Sequence, residues 1–148
     1  MKRNNSERMH PTLKALLLIS LTTLTFAVTK FDDDHLNHWT QTVKTNAYPK
    51  LRKNAAFMLG KLNDPRAVPA LVEVIAQDTD AVVRGASATA LGKLGSSDAI
   101  EPLTYMMNND ADKTSRNLAR QAIDRIYLKM NLKKEKKEKL GKLFGTKF

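Results

Sequence analysis

From residue 31 onward, apolar side chains recur at three- and four-residue spacings, broken by Pro, Gly, Asn and Asp, which predicts a series of short amphipathic helices. Leu36, Trp39 and Val43 fall at i, i+3 and i+7 behind Asp32, Asp33 and Asp34. Carboxylates there suit a helix N-terminus, where they accept free N–H groups and meet the positive end of the dipole. Tyr48-Pro49 breaks the chain, and a helix over 50–62 follows with Leu51, Ala55, Met58, Leu59 and Leu62 inward. Asn63-Asp64-Pro65 reads as a turn into a helix over 65–77 that buries Val68, Leu71, Val74 and Ile75. Asp80 is placed to cap a helix over 81–94, and Gly95 to Asp98 turns the chain into a helix over 98–108. A last helix from about Lys113 presents Leu118, Ala119, Ala122, Ile123 and Ile126.

These elements repeat at a fixed offset, the one that carries Leu51 onto Val83 and Asp80 onto Asp112. Residues 51–80 placed on 83–112 give ten identical pairs, most of them small or apolar. The same offset carries Leu36, Trp39 and Val43 onto Val68, Leu71 and Ile75. A half-repeat over 33–46 therefore precedes repeats 50–80 and 82–112, and a half-repeat over 113–128 follows. A fixed period of this size signals supersecondary units that stack because none can bury its apolar face alone. Leu59/Leu91/Ile123 and Leu62/Leu94/Ile126 then form apolar ladders, and Gly60 and Gly92 suggest close backbone contact or an early helix end. Arg52, Arg84 and Arg116 form a column. Asp78 and Asp80 before Arg84, and Asp110 and Asp112 before Arg116, predict an inter-repeat Arg–Asp ladder that also caps helices.

Arg-x-x-Ala/Ser-Ala-x-x-Leu-Gly-Lys-Leu, a short turn, Ala-Val/Ile-x-x-Leu and a closing Asp resemble the HEAT-like repeats first named from phycobiliprotein lyases. The resemblance covers about residues 50–126 and the half-repeat before them. It implies an all-α fold, a short right-handed α-solenoid of antiparallel helix pairs, commonly with a face that holds a partner. It also raises an accessory role beside a lyase-type enzyme, for which no residue speaks. HEAT-like repeats build di-iron deoxyhypusine hydroxylases too, whose repeats present His-Glu pairs, and this sequence contains none.

Charge narrows the function classes. The net charge of +10 resides at the two ends: residues 31–128 hold twelve basic and twelve acidic side chains, so the repeat region is neutral. A neutral body argues against a domain built to embrace a phosphate backbone. With no cysteine, disulfides and thiolate metal sites are excluded, but no compartment is fixed.

Residues 1–28 carry basic side chains ahead of an uncharged apolar stretch, Ala15–Val28. This pattern, with Thr25-Phe26-Ala27 at its end, fits a secretory signal cleaved after Ala27. The alternatives are an uncleaved membrane anchor and an apolar helix docked on the repeats. The first two place the repeats outside the cytoplasm, exported to a periplasmic or extracellular space or held at the membrane.

Candidate chemistry is sparse. His35, His38 and Asp32–Asp34 form the one cluster with metal-ligand residue types, and its spacing matches no established site. There is no Gly-x-Ser-x-Gly, no phosphate-binding glycine loop and no histidine within the repeats to act as a base. The sequence thus indicates neither catalysis nor a cofactor or metal. In the tail, 129–148, Lys133, Lys134, Lys136, Lys137, Lys139 and Lys142 surround Leu140, Leu143 and Phe144. That reads either as a solvated extension of the last helix with a frayed end, or as a basic amphipathic helix interrupted at Gly141, suited to an anionic membrane surface and less to nucleic acid, for which stacking aromatics are missing. The expectation is a non-catalytic scaffold or adaptor for a protein partner.

Overall fold

The computed structural model describes residues 33–144, with side chains through Lys139. The expectations for residues 1–28, and Asp32 of the acidic cluster, lie outside the described residues. The repeats belong to a compact unit, Leu36–Phe148. Among the described residues all regular structure is helical. Helix α1 covers 33–45, α2 Pro49–Leu62, α3 Val68–Gln77, α4 Ala81–Leu94, α5 Ile100–Asn109 and α6 Lys113–Phe144. Single 3-10 turns, Pro65–Ala67 and Ser97–Ala99, lead into α3 and α5. No described helix is long and apolar enough to cross a membrane.

Local chemistry sets the boundaries. The Asp64 carboxylate accepts the Arg66 N–H and the Ser96 hydroxyl accepts the Asp98 N–H, so both repeats enter their second helix through the same capped turn. Asp80 accepts the N–H groups of Val82 and Val83 at the start of α4. Asn63 (φ 55°) and Gly95 (φ 72°) adopt the left-handed conformation that ends α2 and α4, a conformation Gly and Asn reach at least cost.

The helices form two rows. First helices α2, α4 and α6 stack side by side, with α4 in the middle; second helices α3 and α5 pack against α4 and α6. A Cβ on Gly60 would lie 3.0 Å from the Ala90 Cα, and one on Gly92 would lie 2.8 Å from the Ala122 Cα. Both glycines sit inside their helices, so they serve close backbone contact. The roughly 1 kcal/mol each costs in helix propensity is offset by that approach. Ala56, Ala88 and Ala119 are fully buried in the same row, and Leu59, Leu71, Leu91, Leu103 and Ile126 are the largest fully buried apolar side chains between the rows. Ser115, also buried, donates to the Ala81 carbonyl at 2.9 Å and ties α6 to the start of α4.

Three expectations need correction. Leu51 and Leu62 do not point inward: they are 43% and 41% exposed, because α2 has no first-helix neighbour on that side within the described unit. At the equivalent positions Val83 is fully buried and Leu94 half-buried, since α4 has α2 beside it. The tail does not break at Gly141 either. Helix α6 runs unbroken to Phe144, since one glycine costs about 1 kcal/mol and does not end a long helix by itself. Nor does the packed part stop at residue 128, since the Lys129 ammonium donates to the Lys93 carbonyl over the C-terminus of α4. Beyond it, residues 130–139 are all exposed.

Candidate functional site

A lattice of arginines sits where each first helix begins beside the end of a second one. The Arg52 Nε and Nη2 donate to the two Asp78 carboxylate oxygens at 2.7 Å each, and Nη1 donates back to the Asn46 carbonyl at 2.9 Å. Arg84 repeats the geometry in the next unit: 2.7 and 2.8 Å to Asp110, and 2.8 Å to the Asp78 carbonyl. Arg116 keeps only the backbone half, donating to the Asp110 carbonyl at 2.6 Å; the position that would carry the next aspartate is Lys142. The pairing differs from the sequence expectation, which matched Asp78 with Arg84 and Asp110 with Arg116. Each carboxylate instead serves the arginine that opens its own repeat, and the carbonyl of the same aspartate serves the arginine that opens the next. The reason is geometric: the C-terminus of the second helix returns beside the start of the first.

These pairs are nearly dry, with Asp78 and Asp110 side chains 5% and 4% exposed. Hydrogen bonds from Arg84 hold the Asp110 carboxyl below the ordinary aspartate range, outweighing the effect of burial. For Asp78 burial is the largest influence and works upward. The Arg52 bonds, the Asp80 N–H and the charges of Arg52 and Arg84 together still bring it below that range. The two guanidinium groups are raised correspondingly, each chiefly by the hydrogen bond to its aspartate. Each buried carboxylate is matched by a two-pronged donor, so the lattice has the character of a structural clamp.

The same lattice floors one side of a groove. Between α3 and α5 lies a cavity of about 570 Å³, open to solvent. Its apolar wall is built by Val72, Ile75, Pro102, Tyr105 and Met106, and its polar end by Arg84, Asp110 and Asn109, with Glu101 at the opposite α5 end. Ile75 and Met106 are almost fully buried and form the base, whereas Tyr105 is 71% exposed. A large aromatic so exposed beside an apolar cleft is the kind of side chain that anchors partners.

Sequence reasoning missed Tyr105, Glu101 and Asn109 because it read the repeat for what recurs. The signal lay in what departs from it: the equivalent positions of the preceding repeat hold Glu73, Pro69 and Gln77. Of the repeat positions singled out from sequence, Leu59, Leu91 and Ile126 are buried between rows, Gly60 and Gly92 lie at helix contacts, and Leu94 and Ile123 are half-buried. Lys133, Lys134, Lys136, Lys137 and Lys139 are exposed along α6; the Lys142 side chain lies outside the described residues.

Among the described residues no group of three or more His, Cys, Asp or Glu is arranged to hold a metal ion. His35 and His38 are not buried, and the His38 ring stands edge-on to Trp39 at 4.7 Å.

Stacked helix pairs of one repeated length, clamped by arginine and aspartate, define a helical repeat protein. A family model for HEAT repeats matches residues 36–124, and the chain belongs to that family. Among solved structures it is similar to human deoxyhypusine hydroxylase in complex with glycerol, at TM-score 0.53 and 18% identity, over 81% of this chain and 49% of that one. The chain thus spans about half the length of that structure, and the likeness is one of fold. Curated protein sequences give no match.

Proposed function

We propose that this protein is a non-catalytic scaffold that holds a segment of a protein partner in the α3–α5 groove. The groove carries the proposal: an apolar cleft with an exposed tyrosine at its rim, on a frame whose own charges are already neutralised. Asp78 and Asp110 are engaged by Arg52 and Arg84, so Glu101 is the lining carboxylate outside the clamps that can meet a ligand. The segment that fits carries one or two apolar side chains for the cleft and a Lys or Arg beside them. The apolar N-terminal stretch, Ala15–Val28, supports a protein exported or anchored at the membrane, with its partner in the same space. Intact-mass measurement on fractionated cells tests this: loss of residues 1–27, or a membrane-bound full-length chain, is expected, and a soluble full-length chain contradicts it.

The groove is tested by selecting peptides against the purified protein from a displayed random library. Selected peptides should share an apolar–basic pattern and bind Tyr105→Ala at least tenfold more weakly. Peptides without a shared pattern, or indifferent to Tyr105→Ala, would refute the reading.

A second reading rests on the exposed lysines of α6, which project from the repeats along a continuous helix. Each lysine near an anionic bilayer contributes about 1 kcal/mol, so this arm suits contact with a membrane surface. Nucleic acid fits it less well, because the arm offers few stacking rings among its lysines.

A further inference from the structure

Charge in the neutral repeat body is segregated by row. Of the twelve basic side chains in residues 31–128, ten lie on α2, α4 and α6, against one of the twelve acidic ones, Asp124. Asp124 stands on the outer side of α6, where with the exposed Asn117, Arg120 and Tyr127 it caps the end of the row. The lattice engages three of the cations; several of the others define a face. Helix α4 shows which face. It packs Ala90 against Gly60 of α2, Gly85 and Gly92 against α6, and Leu91 between the rows. That leaves Val82, Ala86, Thr89 and Lys93 as an outward stripe, spaced by three and four residues and nowhere buried. The equivalent stripe of α2 holds Lys50, Phe57 and Lys61, all exposed. That of α6 holds Arg125 and runs on through Leu128, Leu132, Lys136 and Lys139, again all exposed. Lys61, Lys93 and Arg125 thus form a cationic column across the row. The Lys93 ammonium sits 4.7 Å from the centre of the Phe57 ring, so neighbouring helices share this face. Among the described residues no ion pair engages Lys50, Lys61 or Arg125.

We infer that this outward face docks on a lipid bilayer with anionic headgroups, with α6 lying along the surface. The inference rests on the membrane reading of the α6 arm and extends it to the body of the repeats. Two features select the occupant. The three stripes carry cations and no carboxylate, so they match an anionic surface. Large apolar side chains also stand exposed among the cations: Phe57 at 55%, Val82 at 63%, Leu128 at 60% and Leu132 at 55%. At a bilayer these enter the headgroup boundary while the lysines reach the phosphates, each lysine strengthening binding about fivefold. A nucleic-acid backbone meets the charge but leaves the apolar side chains in water. For stacking bases the face offers a single ring, Phe57, which already lies beneath Lys93. Docking by the first row leaves the α3–α5 groove, on the other row, open to a partner segment.

The chain has no cysteine, so an introduced thiol carries a polarity-sensitive fluorophore at one position alone. Full-length Asn54→Cys, Leu132→Cys and Tyr105→Cys proteins, so labelled, are mixed with phosphatidylcholine vesicles with or without phosphatidylglycerol. Ala15–Val28 is apolar and can reach any bilayer, so the readout is shielding of the label from an aqueous quencher rather than attachment to vesicles. With phosphatidylglycerol, labels at position 54 on the face and 132 on the arm should be shielded, and the label at 105 should not. Without it none should be. Lys61→Gln/Arg125→Gln, added to Asn54→Cys, should raise the lipid needed to shield position 54 at least tenfold while the helical circular dichroism is kept. Added salt should act in the same direction. Shielding at 132 but not at 54 overturns the inference and leaves the arm reading standing; shielding at neither overturns both. Equal shielding by neutral vesicles, at position 105, or in the double variant also overturns it. So does a duplex oligonucleotide that shields position 54 at lower concentration than the anionic vesicles do, which would assign the face to nucleic acid.

Discussion

The first-helix row and the second-helix row are built from the same repeated unit, yet they solve different problems. Along the first row, Gly60 against Ala90 and Gly92 against Ala122 bring backbones together until no side chain fits between them. Along the second row, α3 and α5 leave a cleft that accommodates about 570 Å³ of something else. Positions that recur build the tight row, the arginine clamps and the buried Leu71 and Leu103; the cleft sets positions that vary, such as Glu101 and Tyr105, beside the recurring Arg84 and Asp110. On the proposed reading, close packing is the task of the first row and binding that of the second.

The largest effects should come from the tight row. Gly92→Leu forces α4 and α6 apart, and overpacking of this kind costs ~3 kcal/mol, read as a lower denaturant midpoint. Asp124→Leu, at the same repeat position on the capped face, should change stability by no more than ~0.5 kcal/mol. If the two substitutions cost the same, the contrast between the packed row and its end fails.

Next come the clamps. Arg84→Ala leaves the Asp110 carboxylate buried without its partner, and removing half of a buried pair costs about 3 kcal/mol. Arg116→Ala removes only bonds to backbone carbonyls and should cost about 1 kcal/mol. Acid should act on the same groups. Asp78 and Asp110 have folded-state pKa values below their unfolded ones, so their contribution is complete above the ordinary aspartate range. It is lost as pH falls through the depressed folded values. Chemical denaturation from pH 7 down should thus show a plateau and then a decline below about pH 4, with the decline reduced in Arg84→Ala. A decline of unchanged size in the variant would detach the acid response from the clamp.

The smallest effect on folding belongs to the cleft. Tyr105→Ala removes an exposed ring and should shift stability by about 0.5 kcal/mol or less while weakening binding at least tenfold.

How far the sequence could be read follows the same division. The period placed every helix of the repeats, because stacking demands the same residue at the same height in each unit. It also placed α1 in register: Asn46 holds Arg52 through its carbonyl as Asp78 holds Arg84. The partners within the clamp were misassigned because nearness in sequence suggested the following arginine, while the helix hairpin returns Asp78 to Arg52. Leu51 and Leu62 were read as core because periodicity reports an apolar face but not whether anything covers it. The unbroken α6 was missed at Gly141 because lysines and leucines on both sides sustain the helix. The cleft was illegible because it is a space between helices, formed by residues that do not repeat.

The central claim is that the cleft between α3 and α5 binds a protein segment. Binding of a library-selected peptide to wild type, Tyr105→Ala, Glu101→Gln and Asp124→Ala, at two salt concentrations, tests it most directly. The account predicts at least tenfold weaker binding for Tyr105→Ala, weaker and less salt-sensitive binding for Glu101→Gln, and no change for Asp124→Ala. Equal affinity across all four proteins would contradict it.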